Sequence, residues 1–134
     1  MKKKNKDSFT ITNNTKGRPY IQGLPFTEIK NKILGTKYVL SLVFVEDKES
    51  KRLNHTYRGK NKPTNVLSFP LSKNLGEVII NTDSVQREHR EFKRTKKNFI
   101  AFLYIHALFH LKGFDHGSRM ETEEKKIRIH FHLE

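Results

Sequence analysis

The stretch NFIAFLYIHALFHLK, residues 98–112, is the feature that most restricts how this chain can fold. It is a mostly apolar segment of helical length, and Gly113 follows where a left-handed residue closes a helix. Its longest unbroken apolar run, residues 99–105, falls far short of a bilayer span, so the segment must be covered by protein. A chain of 134 residues can bury one core and has little room for a second, so residues 1–134 are expected to form a single domain. With 34% hydrophobic and 31% charged residues and ten Phe, the chain reads as a small, very polar globular protein and not as a disordered one.

Around that helix the pattern alternates between periods. Residues 8–12 alternate weakly, with Phe9 and Ile11 on one face, and read as an edge strand. Residues 24–34 place Phe26, Ile29, Ile33 and Leu34 at helical spacing, with Pro25 in the first turn and Gly35 at the end. The clearest strand is KYVLSLVFVE, residues 37–46, followed by a short polar helix over residues 47–57. RGKNKPT, residues 58–64, is a loop, and residues 65–70 and 76–81 read as two further strands. Thr82 or Asp83 can cap a basic helix reaching Phe92, and residues 118–131 form a charged amphipathic helix. Strands and helices in mixed order predict an α+β fold.

The absence of cysteine excludes disulfide frameworks, thiolate metal sites and a Cys nucleophile, and fits a reducing compartment. The basic start (Lys2, Lys3, Lys4, Lys6) lacks the apolar stretch of a signal peptide, and a soluble, cytoplasmic protein with no membrane role is expected. Lys and Arg exceed Asp and Glu by 27 to 14, and a net charge of +13 makes a nucleic acid a natural partner. A charge that serves only solubility is the competing explanation.

Residues 106–116 read HALFHLKGFDH. Four residues apart on a helix, His106 and His110 share a face and can aim their imidazoles at one point. A reversal at Gly113 can bring His116 to the same point. Three neutral imidazoles with an open fourth position are the ligand set of a catalytic zinc ion. An isolated His pair on an apolar helix is more often packing or chance. Here the third histidine and the glycine at matched offsets favour one zinc-like ion per chain, because two imidazoles in apolar surroundings need a shared partner. The spacing is also that of metzincin proteases, in which Glu follows the first His; Ala107 stands there, so the general base of peptide hydrolysis is missing. His55, His89, His130 and His132 lack such a context.

The second dense patch is LNHTYRGKNKPTNVLSFP, residues 53–70. Arg58 and Lys60 flank Gly59; a guanidinium there can hold two phosphoryl oxygens and stabilise charge in a phosphoryl-transfer transition state. An arginine satisfying loop carbonyls is the plainer reading of the same residue. Arg87, Arg90 and Lys97, with Lys93, Arg94 and Lys96, can track a phosphate backbone, although such runs are usually solvated faces.

Together, LNHTYRGKNKPTNVLSFP, GEVIIN and HALFHLKGFDH resemble the YbeY family of bacterial rRNA maturation factors and endoribonucleases, over about residues 39–116. The resemblance implies an α+β fold with a small mixed sheet packed with helices and a zincin-like metal helix. It also implies a zinc-dependent, single-strand-specific endoribonuclease. Such proteins act in the cytoplasm on small-subunit (16S) rRNA, in maturation of its 3′ end and in ribosome quality control. Ribosomal subunit proteins and assembly factors are further expected partners. The family's metal histidines fall on His106, His110 and His116, and its functional arginine on Arg58. Ala107 replaces the usual Gly, and Asn65 replaces a frequent Asp, so Asn65 is given no proton-transfer role. Lys60, Arg87, Arg90 and Lys97 are candidate RNA contacts, and Asp115 is a candidate to orient a ligand histidine. The general base, and the choice between water and the RNA's 2′-hydroxyl as nucleophile, stay open. Two rivals remain: a non-catalytic rRNA-binding assembly factor with a structural metal, and a peptidase, disfavoured by Ala107 and the charge.

Overall fold

A computed structural model of the chain describes residues 8–134, and the lysine-rich start lies outside the described residues. The elements in chain order are β1 (Phe9–Asn13), α1 (Phe26–Leu34), β2 (Val39–Val45), α2 (Asp47–Arg58), β3 (Val66–Ser72), β4 (Leu75–Asn81), α3 (Thr82–Glu88), α4 (Lys96–Lys112) and α5 (Ser118–His130). The sheet runs β1-β2-β4-β3, with β1 and β4 parallel to β2, and β3 antiparallel to β4. This is the small mixed sheet of an α+β fold.

Alternation along the central strands divides the core between two faces. Leu40, Leu42, Phe44, Val78 and Ile80 pack with α1 and α4, while Val45, Leu67 and Ile79 form a smaller cluster with Leu53 of α2. α4 is buried on nearly every side, as a helix apolar all round must be. Its Tyr104 hydroxyl donates to the Phe26 carbonyl at 2.9 Å, so the one polar atom of that deeply buried side chain is satisfied. The helix begins at Lys96, two residues before the apolar stretch, because the Thr95 hydroxyl accepts from the Asn98 N–H and caps it.

The basic helix is shorter than its charge pattern predicts. Its cap is Asn81, whose side-chain oxygen accepts from the Asp83 and Ser84 N–H groups, and it ends at Glu88 instead of Phe92. Past Glu88 the chain turns through Lys93 at φ 55°, and a His89 Nδ1 contact to the Arg94 carbonyl at 2.8 Å ties the turn. β1 forms at the sheet edge as read, yet Ile11 stays exposed while Phe9 reaches Phe26 and Tyr104.

The loop after α2 is pinned from below. Ser50 Oγ and Thr64 exchange two hydrogen bonds at 2.8 and 2.9 Å, and Asn54 Nδ2 donates to the Lys62 carbonyl at 2.9 Å. Both side chains are buried on α2. Gly59, at φ 70°, lets α2 end and the loop begin within one residue. Among the described residues no helix is long and apolar enough to cross a membrane.

Candidate metal centre and its cleft

His106 and His110 stand one turn apart on α4, and Gly113, in the left-handed region at φ 104°, reverses the chain so that His116 returns to them. The ring centroids of His110 and His116 are 4.5 Å apart, and those of His106 and His116 5.2 Å. One nitrogen from each of the three lies within 4.8 Å of the others. The reversal expected at Gly113 is what assembles the cluster.

Protonation sharpens this geometry. His106 Nδ1 lies 2.7 Å from Glu124 Oε2. An ionised carboxylate only accepts, so Nδ1 carries the proton and Nε2 is left with a lone pair. His110 Nδ1 faces the Phe114 carbonyl at 3.3 Å, which fixes the same tautomer. The two Nε2 atoms then point lone pairs at each other across 3.2 Å. That contact is repulsive unless a cation lies between them. Nitrogens bound tetrahedrally at about 2.0–2.1 Å are separated by roughly 3.3 Å, so the pair is spaced as two corners of one coordination sphere. Burial, followed by the neighbouring His106 and His116, lowers the His110 pKa below its ordinary value, against smaller raising effects from the Phe114 carbonyl and Glu124. Depressed basicity keeps the lone pair available to a metal at neutral pH.

The carboxylate that pairs with a histidine of the cluster is Glu124 of α5. Asp115, the candidate from the sequence, is exposed in the turn after Gly113 and pairs with none of the histidines. Glu124 is buried beside Met120 and Ile127 on the face of α5 that meets the core, and Arg128 Nη1 lies 4.0 Å from its Oε1. In the sequence Glu124 stands at helical spacing with Met120 and Ile127, but a single acid in so charged an amphipathic helix does not stand out from its neighbours.

The three histidines line a cavity of about 980 Å³ together with Arg58, Phe102, Glu124, Lys125 and Arg128. Arg58 is the last residue of α2, one position before the loop proper, and its Nη2 donates to the Ser68 carbonyl on β3 at 3.0 Å. That bond is the loop-carbonyl contact of the plainer reading, yet it also holds the guanidinium on the rim of the histidine cavity. Lys60 lines an adjoining hollow of about 380 Å³ that shares Arg58, Thr64 and Asn65 with the first. Asn65 donates to Glu88 at 3.0 Å.

The other basic candidates lie apart. Arg87 makes a two-pronged pair with Asp47 at 2.7 and 3.0 Å, which holds α2 to α3 and lowers the Asp47 pKa. Its guanidinium is thus engaged by a carboxylate in this structure, although about half of the side chain stays exposed. Arg90 is exposed beyond α3, and Lys97 borders a separate shallow hollow with Tyr20 and Gln22. The cleft's other cations, Lys125 and Arg128, come from α5.

The family model described as Endoribonuclease YbeY matches residues 3–131. The chain belongs to the endoribonuclease YbeY family. Among its relatives named Endoribonuclease YbeY, the protein of Alkaliphilus metalliredigens is 39% identical over 102 residues, covering 68% of this chain and 66% of that one. That of Aquifex aeolicus is 40% identical over 110 residues, covering 77% and 73%. The solution structure of TM1509 from Thermotoga maritima matches with a TM-score of 0.65 at 30% identity, over 89% of this chain and 85% of that one. The chain spans about two thirds of the length of the first of these relatives. Its histidine cluster can hold a metal ion.

Proposed function

We propose that this YbeY-family chain is a zinc-dependent endoribonuclease that cleaves single-stranded RNA, acting in the cytoplasm on small-subunit rRNA at its 3′ end. The observation that carries the reading is the approach of His106 and His110 Nε2 to 3.2 Å, with both Nδ1 atoms engaged elsewhere, in a cavity that Arg58 also lines. His106, His110 and His116 would hold the ion, and no fourth His, Cys, Asp or Glu joins them among the described residues. That open set favours a catalytic over a structural metal, and argues against the assembly-factor alternative.

When bound, the ion supplies Lewis acidity toward a phosphoryl oxygen or a water. The rest is done by side chains. Glu124 holds His106 in one tautomer and orientation. Arg58, anchored through Nη2, keeps further N–H donors for the oxygens of a phosphodiester, where negative charge grows in the transition state. Lys60 and the exposed Lys125 of the cleft neutralise neighbouring phosphates, while Arg128 is held by Glu124 and Glu134.

The test is digestion of single-stranded RNA by metal-replete and metal-stripped protein, with binding followed in parallel. Cleavage that disappears on stripping and returns with zinc, while the fold persists, supports the proposal. Binding without metal-dependent cleavage of any single-stranded RNA would replace it with the assembly-factor reading.

A further inference from the structure

The cavity continues past the metal cluster. Phe102, His106 and His110 follow one another at four-residue steps on α4, about 6 Å apart along the axis, and all three are half-buried where the helix opens to the cleft. At the far rim stands Phe92, a large apolar side chain that is 43% exposed. Its ring lies 4.7 Å from buried Phe99 and 5.7 Å from Phe102.

The turn that carries Phe92 is tied at both ends. The Phe92 N–H donates to the Glu88 carbonyl at 3.4 Å, and the Arg94 N–H to the His89 carbonyl at 3.0 Å. Arg94 is itself anchored to Asn98 and the Leu133 carbonyl, and its guanidinium lies 4.5 Å from the Phe102 centroid. Arg128 approaches the same ring at 5.3 Å. An aromatic exposed to solvent yet held this firmly loses little freedom when something stacks on it.

Aromatic rings bordered by cations, beside a site read as cleaving phosphodiesters, match one chemistry: a nucleobase joined to phosphates. A lipid tail or an apolar peptide would leave exposed Lys125 without a partner, and a duplex presents no free base face. We propose that Phe92, backed by Phe102, is a stacking platform for an unpaired base next to the scissile phosphodiester, with Lys125 meeting a flanking phosphate. The inference rests on the endoribonuclease reading of the cavity and deepens it: the platform makes the site selective for single strands, because only an unpaired base can offer its face.

The experiment measures binding of a short single-stranded oligoribonucleotide to the metal-loaded protein across a salt series. Stacking on an aromatic contributes enough per base that Phe92→Ala is expected to weaken binding roughly tenfold while leaving the salt slope unchanged. Phe92→Leu, which keeps an apolar cover over Phe99, is expected to weaken it similarly, separating stacking from structural cover. Lys125→Ala should instead reduce the log–log slope by about 0.7. The chain has no Trp, so Phe92→Trp installs a single indole reporter. Its fluorescence should be quenched by the oligonucleotide and not by polyphosphate of equal charge. Wild-type affinity and cleavage in both Phe92→Ala and Phe92→Leu, or an unquenched indole in bound Phe92→Trp, overturn the platform and leave the nuclease reading standing. A wild-type protein that neither binds nor cleaves single-stranded RNA overturns both together.

Discussion

Replacing Glu124 separates the metal cradle from the histidines that form it. Glu124 accepts from His106 Nδ1 at 2.7 Å in a place where only 8% of its side chain is exposed. Water cannot easily take over that acceptor role. A hydrogen bond to a charged group contributes about 1.5–3 kcal/mol, and a neutral one about 0.5–1.5. Glu124→Gln keeps the volume and one acceptor oxygen but loses the charge, so the difference is about 1–1.5 kcal/mol, or roughly tenfold in metal affinity. Glu124→Ala removes the acceptor and leaves the Nδ1–H buried and unpaired, which moves the expected loss toward 100-fold, the upper range for groups that orient metal-bound histidines. The assay is competition for zinc against a chromophoric chelator at fixed pH, with thermal unfolding of the metal-free proteins as the control. If both variants hold zinc within twofold of wild type at unchanged metal-free stability, Glu124 does not orient the ligand. If metal-free stability falls as far as affinity does, its role lies in packing α5.

His110→Ala should lose most of its zinc by elemental analysis, since two imidazoles cannot complete the set. Arg58→Ala should keep metal and fold yet cleave RNA about 10²–10³ more slowly in single turnover, with Arg58→Lys recovering only part; wild-type rates would reduce Arg58 to its Ser68 contact. The lowered His110 pKa means that the unfolded chain takes up the proton first. Metal-free stability should therefore be fully present above the unfolded value of about 6.5 and decline as pH falls from there toward the folded value. Thermal unfolding across that range should show a shallower decline in His110→Ala. A methyl at Gly76 would collide with the Tyr38 hydroxyl and press on both Leu111 methyls at 3.2 Å, so Gly76→Ala should destabilise by about 1–3 kcal/mol in denaturant unfolding.

Local chemistry determined much of this molecule. Helical spacing put His106 and His110 on one face, and Gly113 could only close the helix and turn the chain, so the metal set was readable from eleven consecutive residues. The strand periods and the glycine and proline breaks likewise gave the α+β class. Contacts between distant segments were not readable, because periodicity says which face of an element is apolar and nothing about what will lie against it. Glu124 reaches His106 from eighteen residues away, and Arg87, in a run that reads as a phosphate track, instead closes on Asp47 from forty away. Lys30, one position beyond the core residue Ile29, is buried with its ammonium donating to the Tyr38 carbonyl at 2.7 Å, and burial lowers its pKa. In each case a charged side chain met a partner that tertiary packing supplied, and for the buried Glu124 and Lys30 the reason is that a charged group removed from water must be satisfied wherever the fold provides a counterpart.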